Sequence, residues 1–188
     1  MTLDRLLDAT LGKDSLSMLA LPPKTVPRFD RELLDFVASL VNRINQRQFQ
    51  FMDDGATGTL SEEHIGVVAF HRDQVAAVRQ AVGPRVYVET ANRFQGLERK
   101  VIIALHPISG AERVTAFNAE AGRVCVALSR HRLACIVVGR DGVADAIDRA
   151  VLEEERYLCA PDDPLYEGIR AHRTLIEQLE NRDLVVRP

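Results

Sequence analysis

The pattern of apolar residues predicts an α/β fold with a mostly parallel sheet of about five strands. Three observations predict it. Short, unbroken apolar runs recur along the chain, each the length of a strand buried on both faces. Between them lie segments with apolar residues at helical spacing. Gly, Pro and Asp mark the joins. With 188 residues, the chain can build one domain with its own core but not two large ones.

Leu16–Leu21 (LSMLAL) is the first strand, closed by Pro22-Pro23. Asp30 then stands where a helix N-cap belongs, followed by Leu33, Val37, Leu40, Val41 and Ile44 on one helical face. Residues 51–63 turn to Asp, Gly, Thr and Ser, the composition of a solvent loop. Ile65–Phe70 is the second strand. The helix after it carries Val75, Val78 and Val82 inward, with Asp73 as a candidate cap and Gly83-Pro84 as its end. Val86–Glu89, Val101–Leu105 and Leu133–Val138 complete the strands. A helix is expected over residues 143–156, then a break at Pro161–Pro164, with Ala160–Asp163 as the expected linker. A last amphipathic helix carries Leu165, Ile169, His172, Leu175, Ile176 and Leu179. The expected domain plan is a core over residues 1–159, densest at about 15–140, and a C-terminal helical extension over 160–188.

Composition bounds the function. Hydrophobic residues make up 46% and charged residues 27%, which is ordinary for a globular protein. A formal net charge of -3 excludes a strongly basic nucleic-acid binder but leaves room for a local basic strip. Aromatics are only 5%, with no Trp, so no base-stacking platform is signalled. Cys125, Cys135 and Cys159 have no zinc spacing and are expected as reduced thiols. No segment has the apolar length to span a membrane. The N-terminus lacks the apolar region of a secretory signal, so a cytoplasmic location without a membrane partner is expected.

The stretch Val86–Arg140 carries the chemistry. Buried strands need only Val, Ile and Leu. Gln95-Gly96, Glu98, Arg123, Arg130 and Arg132 therefore ask for another reason, and ligands of open α/β sheets sit at the carboxyl ends of strands, where these residues are expected. Arg123 and Arg130 are seven apart, so one helix would present both on the same face. Such a pair can equally be a solvated face. A P-loop is missing. Gly12-Lys13 is followed by Asp14, and Leu7 stands where the first glycine belongs. No apolar strand ends in Asp-Glu to hold magnesium. The chain lacks the parts that hydrolyse a nucleotide alone.

The segments 65–74, 88–103 and 123–132 resemble motifs IV, V and VI of superfamily 1 helicases, in order. The similarity is greatest to the RNA-surveillance-type (AAA-12) branch and covers roughly residues 15–140. Thr90-Ala91-Asn92-Arg93-Phe94-Gln95-Gly96-Leu97-Glu98 stands where that branch reads T-V-D-x-F-Q-G-x-E. Residues 123–132 (RVCVALSRHR) stand where it reads R-x-N-V-A-x-T-R-A-R. The resemblance implies a three-layer RecA-like (P-loop NTPase-type) domain, the second of the two that enclose ATP. It implies Arg130 as arginine finger. Gln95, Gly96, Glu98 and Arg123 become nucleotide-binding, with Glu98 on the ribose. Thr90, Asn92, His71 and Arg72 lie along a single-stranded DNA or RNA track. ATP with Mg would bind only together with a first RecA-like domain, in cis or in trans. From the residues alone, Gly96 could be a simple strand-entry turn, and His71 and Arg72 only the polar residues that follow any strand. Asn92, Lys100, Cys125 and His131 depart from the family pattern. A stand-alone degenerate module that binds nucleotide or nucleic acid without hydrolysis is the alternative. A purely structural α/β domain is disfavoured, since packing needs neither Arg130 nor Glu98.

Overall fold

The computed structural model describes residues 2–26, 30–153 and 164–187. Helix α1 (Leu3–Ala9) leads through a π-helical turn into β1 (Leu16–Leu21), and α2 (Arg31–Arg47) follows. A hairpin of β2 (Gln50–Asp53) and β3 (Ala56–Thr59) precedes β4 (Ile65–Ala69), α3 (Arg72–Val82) and β5 (Tyr87–Thr90). Then come β6 (Arg99–Leu105), α4 (Ala121–Leu128), β7 (His131–Arg140), α5 (Val143–Glu153), α6 (Pro164–Asn181) and β8 (Val185–Val186). Six strands form one sheet in the order β5-β4-β6-β7-β1-β8, and every pairing in it is parallel.

Period-two alternation along the strands feeds two cores. On β6, Val101, Ile103 and Leu105 enter one, with Leu33, Val37 and Ile44 of α2 and Val75 and Val78 of α3. Ile102 and Ala104 enter the other, with Val124 and Ala127 of α4, Ile147 of α5 and Ile169, Ile176 and Leu179 of α6. Each fully buried aliphatic side chain contributes roughly 1.5–3 kcal/mol, so the five buried residues of α2 fix that helix to the sheet. The result is the three-layer RecA-like arrangement, with α1–α3 on one face and α4–α6 on the other.

Several expectations change. The stretch expected as a loop from residue 51 is a hairpin. Its turn is Asp54-Gly55, with φ of 51° and 78°, the pair of left-handed residues a type I′ turn requires. A sixth strand, β8, adds to β1 beyond the five expected. The helix that was to carry both Arg123 and Arg130 ends at Leu128, with Ser129 as C-cap. Arg130 therefore lies in a turn and Arg132 in β7, so Arg123 and Arg130 share no helix face. Asp30 caps α2 as expected, its Oδ1 accepting from Leu33 N–H at 3.1 Å. For α3 the cap position is His71, with Asp73 inside the first turn. The linker expected at residues 160–163 and the end of α5 expected at Arg156 lie outside the described residues.

The connections create a crevice. After β4 the chain turns into α3 on one face of the sheet; after β6, its neighbour, it leads to α4 on the other. Oppositely directed exits from adjacent parallel strands leave an opening at their carboxyl ends, where open α/β sheets take ligands. The path from β5 to β6 is different. It has no long helix, only a 3-10 turn (Ala91–Phe94), before the chain re-enters the sheet at its amino end.

Candidate functional site

The residues singled out in the sequence fall into two groups at opposite ends of the sheet. At the carboxyl ends of β4 and β5 lies a cleft of about 560 Å³ whose lining includes His71, Arg72, Thr90, Asn92 and Arg123. Gln95, Gly96, Glu98 and Arg130 do not line it. Glu98 and Arg130 directly precede β6 and β7, so they stand at the amino ends of those strands. This corrects the expectation that all the motif residues gather at carboxyl ends.

The cleft is cationic. Arg72, Arg79, Arg93 and Arg123 share its lining with a single carboxylate, Glu89, on a chain whose net charge is -3. Glu89 is buried and forms the floor. Arg79 Nη2 lies 2.5 Å from its Oε1, Arg93 Nη1 is at 3.4 Å, and the Thr90 N–H donates to its Oε2 at 3.2 Å. Burial pushes the Glu89 carboxyl up, but the Thr90 amide and the two guanidiniums outweigh it and hold it below the usual range. Arg72 and Asn92 are exposed, and Arg72 has no carboxylate partner among the described residues.

Phe117, which nothing in the low aromatic content marked, closes the mouth. Its ring stacks on His71 with centroids 5.0 Å apart at 28°, and the Arg123 guanidinium sits 4.0 Å from its centroid. His71 comes from the loop after β4 and Phe117 from the loop after β6, so the stack bridges the crevice. The Phe117 loop is ordered by Asn118. Its Oδ1 accepts from Thr115 N–H at 2.6 Å and its Nδ2 donates to the Arg113 carbonyl at 2.9 Å. Arg123 Nε lies 2.7 Å from Glu120 Oε2, an ion pair too bent to be a hydrogen bond, since that Nε has no acceptor in line.

At the other end, the Arg99 N–H donates to the Arg130 carbonyl at 3.0 Å, and Arg99 pairs with His131 in the parallel register. Glu98 and Arg130 are thereby neighbours across the strand starts. Gly96 has φ of +81°, a conformation that favours glycine over any side chain, and the Leu97 N–H closes the turn onto the Phe94 carbonyl at 2.9 Å. Phe94 anchors this segment. It is fully buried and lies over Gly66, where a Cβ would stand 2.9 Å from its Cζ. Gln95, Gly96 and Glu98 remain exposed.

Arg130 and Arg132 differ in their commitments. Arg130 donates only to the adjacent Ser129 Oγ, at 3.2 and 2.9 Å, and pairs with no carboxylate among the described residues. Arg132 is paired with Asp54 and, at 3.0 Å, with Asp53. Lys100 Nζ adds 2.8 Å to Asp53 and sits 4.1 Å over the Phe51 ring. The Lys100 ammonium, with Arg132, holds the Asp53 carboxyl below its usual range. Lys100, a departure from the family pattern, is thus matched by the hairpin. Among the described residues no group of three or more His, Cys, Asp or Glu could hold a metal ion. No helix there is long and apolar enough to cross a membrane.

A parallel sheet with helices layered on both faces defines a RecA-like class of domain. Residues 31–142 match the AAA domain family AAA_12. The chain belongs to that family, as a helicase-like AAA domain. No curated protein matches it significantly.

Proposed function

We propose that this chain is the second RecA-like domain of an ATP-dependent DNA or RNA helicase or translocase, inactive as an ATPase by itself. The observation that carries this reading is the Arg130 guanidinium, which donates only to the adjacent Ser129 Oγ and meets no carboxylate among the described residues, while nearby Arg132 is held by Asp53 and Asp54. In the finger role, Arg130 reaches across to the charge developing on the transferred phosphoryl group, an effect of about 10³–10⁵ in rate. Glu98 accepts from a ribose hydroxyl, and the glycine turn at Gly96 lets backbone approach the nucleotide. ATP with Mg fits these residues as one wall. The phosphate cradle and metal ligands belong to a first RecA-like domain, because no P-loop occurs here.

The motif groups Arg123 with the nucleotide, but its place beside Phe117, His71, Arg72 and Thr90 supports a role in the nucleic-acid cleft instead. There Thr90 and Asn92 hold phosphate or sugar groups, which positions a strand without reading its sequence. A second reading, a stand-alone module that binds without turnover, is favoured by Lys100, which spends its charge on Asp53. Mixing the chain with a P-loop-bearing RecA-like partner domain separates the two. Magnesium-dependent ATP hydrolysis that appears only in the mixture supports the first reading. Nucleic-acid binding with no hydrolysis under any pairing supports the second.

A further inference from the structure

Asp53 of the hairpin gathers two cations that stand at equivalent places in the chain. Lys100 is two residues past Glu98, and Arg132 is two residues past Arg130. Lys100 Nζ lies 2.8 Å from Asp53 Oδ2, Arg132 Nε lies 3.0 Å from the same oxygen, and Arg132 Nη2 donates to Oδ1 at 3.1 Å. The Asp53 side chain is only 13% exposed, so water screens it less than the carboxylate of an open surface pair. The hairpin fixes this carboxylate from behind. Asp53 pairs with Ala56, and Phe51 with Gly58. The Phe51 ring packs edge-on to His64 at 5.3 Å and fills the space over Gly58, where a Cβ would stand 2.7 Å from its Cζ. The strands it clasps are irregular at this point. Between the pairs Arg99–His131 and Val101–Ala134, β7 holds Arg132 and Leu133 against Lys100 alone on β6. Such a bulge re-aims a side chain at the end of a sheet.

We propose that Asp53 is a positioning residue for Arg130: by holding Lys100 and Arg132 together it fixes the starts of β6 and β7, and with them the place from which the Arg130 guanidinium reaches the nucleotide. The proposal rests on the finger reading of Arg130 given above and adds what holds the finger in place. Asp53 acts through the chain. Arg99, whose N–H donates to the Arg130 carbonyl at 3.0 Å, adjoins Lys100, and Arg132 follows Arg130 by two residues. Both sides of the Arg130 turn are therefore tied to one carboxylate. The turn needs such a tie, because the Arg130 guanidinium donates only to Ser129 Oγ among the described residues. A shift of about 1 Å at a catalytic group can cost about a hundredfold in rate. Loss of the clasp is thus felt in turnover before it is felt in the core, which packs without it.

Asp53→Asn keeps the shape of the side chain and removes its charge. Wild type and variant are compared in two measurements. One is amide hydrogen exchange of the chain alone, read by NMR at Arg99, with Val67 in β4 as the internal reference. The other is magnesium-dependent ATP hydrolysis with a P-loop-bearing RecA-like partner domain. In Asp53→Asn, exchange at Arg99 should be about tenfold faster with Val67 unchanged. With the partner, kcat should fall about ten- to hundredfold while KM for ATP stays within about twofold. Wild-type kcat in Asp53→Asn overturns the positioning role and leaves the helicase reading standing. A lowered kcat with Arg99 exchange unchanged, or with Val67 exchange raised as much, also overturns it, since the loss then has another cause or is a general loosening of the fold. If the wild type gives no turnover with the partner, the helicase reading falls. Faster exchange at Arg99 alone then still supports the clasp on the strand starts, and unchanged exchange overturns that too.

Discussion

The Arg99 N–H donates to the Arg130 carbonyl at 3.0 Å, and this bond places Glu98 beside Arg130 at the amino ends of β6 and β7. Backbone pairing, rather than a shared helix face, brings the two motifs together. Among the described residues the Arg130 side chain bonds Ser129 alone. Arg130→Ala should therefore change stability by less than about 0.5 kcal/mol, as surface substitutions do. Urea unfolding checks this, and a large loss would mean that the guanidinium has a structural job.

Arg140 offers the opposite case. It is 1% exposed, and its Nε and Nη2 each donate at 2.7 Å to one oxygen of Asp30, with Nη2 also reaching Glu32 at 2.7 Å. Nη1 donates to the Pro22 carbonyl at 3.0 Å. Asp30 at the same time caps α2, so one buried pair joins the end of β7 to the start of that helix. Removing one partner of a buried pair costs about 3–5 kcal/mol. Asp30→Ala, which also removes the cap, should fall in that range by chemical denaturation, well beyond the cost of losing a cap alone.

His106 and His172 form a buried pair between β6 and α6. The Ile108 N–H donates to His106 Nδ1 at 3.3 Å, so the proton sits on Nε2, which donates to His172 Nδ1 at 3.2 Å. Burial pushes His172 down to about 4; the Asn118 carbonyl pulls the other way without a hydrogen bond of acceptable geometry. Burial, with the neighbouring His172, lowers His106 well below the ordinary value. Both rings favour the neutral form when folded, so their contribution is complete above the unfolded value of 6.5. It is lost as pH falls toward 4, by about 3 kcal/mol for His172. Stability from urea titrations between those limits should drop with acid. His172→Leu, though less stable at neutral pH, should show a shallower slope.

Gly168 lets α6 meet the loop that carries Phe117. A Cβ there would run into the Ala119 carbonyl oxygen, which is backbone and cannot swing aside. Gly168→Ala gains helix propensity yet should destabilise by about 1–3 kcal/mol through overpacking, read as a lowered Tm. A neutral or raised Tm would mean that α6 packs differently.

Much of this was legible in the sequence. The strands and the buried faces of α2 and α6 follow from periodicity, since Leu33, Val37 and Leu40, like Ile169, Leu175 and Leu179, repeat at helical spacing. The hairpin was missed because polar composition outweighed Asp54-Gly55, the local turn signal. The division of the site was hidden for a different reason. Thr90 and Glu98 are eight residues apart, but the segment between them crosses the sheet from one end to the other, which spacing does not reveal. Phe117 is a lone aromatic in a polar loop. Only the meeting of the loops after β4 and β6 gives it His71 and Arg123 as neighbours.

In the proposed function this chain supplies the finger but not the phosphate site. The most direct measurement is magnesium-dependent ATP hydrolysis with single-stranded nucleic acid. The chain is assayed alone, and then with a P-loop-bearing RecA-like partner domain as wild type and as Arg130→Ala. Background turnover is expected from the chain alone, and measurable turnover with the partner. Arg130→Ala should lower that turnover by about 10³–10⁵ with nucleotide affinity nearly unchanged. Hydrolysis by the chain alone, or undiminished turnover by Arg130→Ala with the partner, would contradict the proposed function.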